Sequence, residues 1–83
     1  MLARIESQDN SRIKQVRKLR SKKTRDELNK YVIEGYNLVE EALCKGVSID
    51  YILVSDSFAD TALIEDGVAQ GKCKAYEVPE QIL

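Results

Sequence analysis

Three short apolar runs recur along this chain: Tyr31-Val32-Ile33, Ile49-Asp50-Tyr51-Ile52-Leu53-Val54 and Cys73 to Val78. A stretch of helical period separates each from the next. Runs of this length, rich in β-branched and aromatic residues, read as buried strands. Between the first two, Leu38, Val39, Ala42 and Leu43 share one helical face from Tyr36 to Lys45, and Gly46 is a natural stop. Between the last two, Ser57-Phe58-Ala59-Asp60 has the capping-box pattern. It predicts a helix through Ala62 and Leu63 that closes near Gly71, with Gly67 weakening its second half. Pro79 suits the first turn of a last helix. Strands joined through helices lie parallel, with right-handed crossovers. The expected fold is therefore α/β, a small three-layer α/β/α sandwich with a mainly parallel sheet.

The start of the chain has a different character. Asn10 and Ser11 are good N-caps for a helix from about Arg12 to Ser21 or Lys22. On it Ile13, Val16 and Leu19 fall within an arc of about 120°. Lys14, Arg17 and Lys18 lie opposite, as does Arg25 if the helix continues, while Arg12, Arg20 and Lys23 sit at the edges of the apolar arc. Thr24 to Glu27 forms a second capping-box pattern, which allows one extra helical turn. Nine of the thirteen Lys and Arg residues lie at or before Arg25, which leaves residues 1–25 at +7 and residues 26–83 at −8. A basic arm on an acidic body is the mark of a chain that meets polyanions.

Eighty-three residues make one domain, 1–83, with a thin core. An apolar share of 43% rules out a disordered tail. No apolar run is long enough to span a membrane and Met1 to Asn10 has no signal-peptide core, so the expected location is the cytoplasm, with no membrane partner. Cys44 and Cys73 stand alone, without metal or redox spacing, and read as reduced thiols. There is no histidine, and the four glycines form no phosphate loop. His-based acid–base chemistry and His-ligated metal are excluded, and neither a catalytic nor a metal-binding residue is assigned. A third strand so close to Leu83 leaves a sheet edge that another strand would cover, so the chain is expected to be the front piece of something longer.

An ordered set of short motifs carries a family resemblance. Asn10-Ser11-Arg12-Ile13-Lys14, Leu19, Lys22-Lys23-x-Arg25, Tyr31-Val32-Ile33-Glu34-Gly35, Leu38-Val39-x-Glu41-Ala42-Leu43 and Ile52-Leu53-Val54 follow one another at set spacings. The set resembles the N-terminal substrate-binding domain of the SpoU/TrmH family of RNA ribose 2′-O-methyltransferases, over nearly the whole chain. The resemblance implies a fold like that of the kink-turn-binding ribosomal proteins. It also implies a separate knotted domain that binds S-adenosylmethionine, methylates ribosomal or transfer RNA and forms a homodimer. The motifs of that domain are missing here, so this chain is expected to hold RNA without catalysing its methylation and to bind no cofactor itself.

The RNA-binding candidates are then Asn10, Arg12, Lys14, Arg17, Lys18, Lys22, Lys23, Arg25 and Tyr36. Lys would act as a point charge, and Arg17 and Arg25 as forks on phosphate oxygens. Asn10 suits a helix cap better than a base contact. Tyr36, beside a turn, is the tyrosine placed to stack on a base. Glu34 and Gly35 end a strand before a helix, where Gly eases a tight turn and Glu favours the positive helix end. A functional task for Glu34 would be to orient a base such as Arg25. Two other classes compete: a protein-interaction or oligomerisation module whose basic helix meets an acidic surface, and a stand-alone kink-turn-type RNA-binding protein.

Overall fold

The computed structural model describes residues 2–58 and 60–82. Its centre is a three-stranded parallel sheet in the order β1-β3-β2, built from β1 (Ala3–Arg4), β2 (Tyr51–Ser55) and β3 (Lys74–Val78). Ala3 pairs with Tyr76, and Tyr51 through Ser55 pair in step with Lys74 through Val78. The helices are α1 (Ser11–Lys18), α2 (Lys22–Leu28), α3 (Tyr36–Cys44) and α4 (Ala62–Ala69), and a 3-10 turn follows at Glu80–Ile82.

Side chains alternate across the sheet and give it two cores. Ile52, Val54 and Ala75 face one side, where Leu43 of α3 and Ile64 of α4 cover them. Leu53, Tyr76 and Val78 face the other, against Ile13 of α1 and Ile5. The expected three-layer sandwich is thus present. Val78 is 0% exposed and Ile13 2%, so the central strand and the basic helix meet in the driest part of the molecule. The apolar arc of α1 holds as read: Ile13 and Leu19 are buried and Val16 is half-buried. Gly67 is buried where α4 comes close to its neighbours. A Cβ there would stand 3.4 Å from Leu43 Cδ2 and 3.7 Å from Cys73 Sγ, so the residue that weakens the helix also lets it pack.

Four expectations need correction. Tyr31 to Ile33 forms no strand; Tyr31 is 71% exposed, Val32 38% and Ile33 36%. The run is β-prone locally, but a strand is completed only by a ladder partner, and Tyr31 to Ile33 pairs with neither outer edge of the sheet. The segment is pinned at its ends by the Lys30–Asp50 ion pair and the Tyr36–Phe58 ring contact. The strand beside β3 comes instead from the lead-in, where two residues are too few to show a period. The first helix ends sooner than expected, at Lys18, and what was read as one extra turn is α2, which opens at Lys22 after Ser21. Finally, α4 opens at Ala62 behind Thr61, not at the Ser57 capping box; Ala59 of that box lies outside the described residues.

Gly35 precedes α3 at φ 101° and ψ 143°, a region that side-chain-bearing residues avoid. Replacing Gly35 with Ala should cost about 1–3 kcal/mol from backbone strain. Ile13→Ala, which empties the seam between α1 and β3, should cost about 2–4 kcal/mol. Urea denaturation of each variant measures both.

Candidate nucleic-acid interface

Between Asp9 and Asp26 the chain has eight bases and no acid. The fold divides these bases among distinct tasks. Asn10 caps α1, its Oδ1 accepting from Arg12 N at 2.9 Å. The Arg12 guanidinium lies 4.5 Å from the centre of the Tyr76 ring, where a cation is attracted by the ring face. Arg17 donates to the Ile82 carbonyl at 3.0 Å. Arg25 of α2 turns back and donates to the carbonyls of Leu19 and Arg20 at 2.9 and 2.8 Å, the two residues that follow α1, and so ties α2 to the turn between the helices. Those carbonyls, not Glu34, orient Arg25, and Glu34 is exposed. Lys22 and Lys23 pair one turn along with Asp26 and Glu27 at 3.0 and 4.0 Å. Such exposed helical pairs contribute little and exchange readily for another anion.

Lys14, Lys18 and Arg20 are exposed and have no partner among the described residues. Lys14 and Lys18 are one turn apart and share a shallow groove of about 290 Å³ with Ser11, Gln15 and Leu28. Ser11, Lys14, Gln15 and Lys18 fall at i, i+3, i+4 and i+7, a stripe away from the buried arc. Leu28, 44% exposed at the end of α2, closes the groove from the other side. Sequence reasoning did not assign Gln15 or Leu28 to a site. The stripe was visible in the helical phase, but the placing of Leu28 beside it was not. Gln15 is held from below: the Tyr51 hydroxyl lies 2.7 Å from Gln15 Oε1 and 2.9 Å from the Arg12 carbonyl. Burial pushes the Tyr51 pKa above 10.0; Arg12 opposes that shift and Asp50 adds to it.

The opposite layer has the opposite sign. Glu40 and Glu41 of α3 and Glu65 and Asp66 of α4 are the charged residues within those helices, and Lys45, the cap that ends α3, pairs with Glu41 at 2.6 Å. Tyr36 belongs to that side. Its ring centre is 5.6 Å from that of Phe58, and burial, Asp60 and Glu40 all raise its pKa. The structure therefore brings Lys14 and Lys18 together and sets Tyr36 apart from them, among carboxylates.

The family model of the MRM3-like substrate binding domain matches residues 10–83, which takes in α1, α2 and the whole sheet apart from β1. The chain belongs to this family. It bears out the resemblance drawn from the motifs. Among curated proteins, the 23S rRNA (guanosine(2553)-2′-O)-methyltransferase RlmP of Bacillus subtilis (strain 168) is 39% identical over 67 residues, 81% of this chain. The match covers 27% of RlmP, so the chain corresponds to about a quarter of that relative. No solved structure matches.

In this MRM3-like domain the ends of the strands are tied by one cation. Arg4 reaches Glu77 at 2.7 Å, Glu6 at 2.8 Å and Asp56 at 3.1 Å, and the hydrogen bonds to Glu6, Asp56 and Glu77 hold its guanidinium more firmly protonated than usual. Arg4 is thereby committed to the fold and is no part of the free cationic face. Among the described residues no group of His, Cys, Asp and Glu could hold a metal ion, and no helix is long and apolar enough to cross a membrane.

The division of labour among the bases predicts separable effects. Arg25→Ala should cost about 1–2 kcal/mol of stability, since it leaves two carbonyls without their charged donor. Lys14→Ala and Lys18→Ala should each stay within about 0.5 kcal/mol. Tyr51→Phe should cost about 1 kcal/mol at neutral pH. An acid with a raised folded pKa stabilises the fold below its unfolded pKa and loses that contribution as pH rises through the folded value. Tyr51→Phe should therefore lose less stability than the unmodified chain above pH about 10. Chemical denaturation at neutral and alkaline pH reads each of these.

Proposed function

We propose that this chain is the RNA-holding domain of a ribosomal RNA ribose 2′-O-methyltransferase, and that it grips RNA phosphates through the α1–α2 face. The observation that carries the reading is the exposed, unpaired Lys14 and Lys18 on a helix whose other face is locked into the core. Family membership and the likeness to RlmP support it. Each cation near a phosphate displaces a condensed counterion, so binding is electrostatic and falls with salt. Such contacts position RNA without reading its sequence. Lys22 and Lys23 add to the face by giving up Asp26 and Glu27 for phosphate. Arg12, Arg17 and Arg25 support it from beneath, and Asn10 fixes the start of α1.

Methyl transfer in this reading belongs to a catalytic part outside these residues, with S-adenosylmethionine as methyl donor and a homodimer as the working form. The place of action is the cytoplasm, where ribosomal RNA is met. A second reading, head-to-tail association of copies, draws on the basic α1–α2 layer and the acidic α3–α4 layer lying on opposite sides of the sheet. A surface that meets a different surface on its copy makes rings or open chains of subunits rather than two-fold dimers.

The two readings separate in one salt series. With RNA binding measured by fluorescence anisotropy, Lys14→Glu with Lys18→Glu should weaken affinity at least about tenfold at low salt. The slope of log affinity against log salt should become shallower by about 1.4–1.8, two phosphate contacts' worth. Unchanged affinity in the double variant would refute the phosphate grip. Salt-sensitive self-association with no RNA affinity would establish the second reading.

A further inference from the structure

The groove between α1 and α2 has a feature that phosphate binding does not use. Phosphate needs cations and N–H donors, and Lys14 and Lys18 supply them. Leu28 does nothing for a phosphate, yet it forms the far wall of the same groove and is 44% exposed. An apolar side chain left open to water beside two unpaired cations fits a ligand with a charged part and a flat apolar part. Gln15 adds direction. Its Oε1 lies 2.7 Å from the Tyr51 hydroxyl, which is also 2.9 Å from the Arg12 carbonyl, so one end of the amide is held at the base of the groove and the other remains to meet a ligand. Ser11 adds a hydroxyl at the helix start.

We propose that this groove is a subsite for one unpaired RNA nucleotide, which rests on the RNA-binding reading and narrows it to single strands. The phosphate lies between the ammonium groups of Lys14 and Lys18. The base lies with its face on Leu28. The free end of the Gln15 amide hydrogen-bonds to the base or ribose. A duplex cannot fill such a groove, because its stacked bases show side chains their minor-groove edges, 2′-hydroxyls and phosphates but not their faces. An unstacked nucleotide presents phosphate, 2′-hydroxyl and base face together. The 290 Å³ space is at the small end of ligand pockets, which matches one nucleotide and not a run of them. Lys22 and Lys23, on the neighbouring helix, are placed to meet phosphates further along the strand.

The test uses the full chain with three probes: a short single-stranded RNA, a duplex RNA of the same length, and inorganic polyphosphate, a polyanion without bases. The expected result is tighter binding to the single strand than to either other probe. Leu28→Ala and Gln15→Ala should each weaken single-strand binding about 3- to 10-fold and leave polyphosphate binding unchanged. Lys14→Ala with Lys18→Ala should weaken all three probes. Leu28 and Gln15 both lie outside the buried core, and circular dichroism checks that each variant keeps its fold. Equal binding of all three probes, with Leu28→Ala silent, would overturn the nucleotide subsite while leaving the phosphate grip standing. Failure of the unmodified chain to bind any RNA would remove both.

Discussion

Everything in this small domain depends on the double engagement of β3. Its backbone is paired on both sides, to β1 and β2, and its side chains are covered on both faces. A strand in that position cannot be exposed without losing two ladders and two cores at once. The result is an 83-residue chain whose stability rests on a few buried contacts: Val78 against Ile13 and Ile5 on one side, Ala75 with Ile52, Leu43 and Ile64 on the other. Because α1 is one of the two covers, the orientation of the cationic face follows from the same packing. Ile13 and Leu19 are held inward, and the one-turn repeat of Lys14 and Lys18 must then look outward.

The sheet also separates charge. The α1–α2 layer has eight bases against two acids, while α3 and α4 contain acids alone. An apolar slab between layers of opposite sign orients the domain toward a polyanion before contact is made, and the acidic side repels it. Within the basic layer, three of the eight cations are engaged on aromatic or backbone groups of the protein itself. Arg12 on Tyr76, Arg17 on the Ile82 carbonyl and Arg25 on the end of α1 are parts of the structure. A count of Lys and Arg in the sequence therefore overstates the surface available to RNA.

The fold class, the two longer strands, α3 and the inward arc of α1 were legible in the sequence because each is set by local period. What was not legible is what depends on distant partners. Tyr31-Val32-Ile33 has the composition of a strand, yet its fate turns on which chain segment reaches the edge of β3, and Ala3–Arg4 does. The break between α1 and α2 was read a few residues late, and α2 as a single turn, because the basic run continues through it without a Gly or Pro. The same limit applies to the site. Lys14 and Lys18 could be placed on the outer face from phase alone. Leu28 and Gln15 joined them only once the end of α2 had brought Leu28 to the groove and Tyr51 had reached from the sheet to the helix. Tyr36 shows the converse: its position before a helix suggested a stacking role, and the tertiary fold gave it Phe58 and a carboxylate neighbourhood.

The central claim is that RNA is held on the α1–α2 layer and nowhere else on the domain. The most direct measurement is a map of backbone amide shifts as a single-stranded RNA is titrated into the isotope-labelled chain. The account predicts that the shifts concentrate between Ser11 and Leu28 and that α3 and α4 stay silent. Shifts centred on Tyr36, Phe58 and the acidic helices, with α1 unmoved, would contradict it.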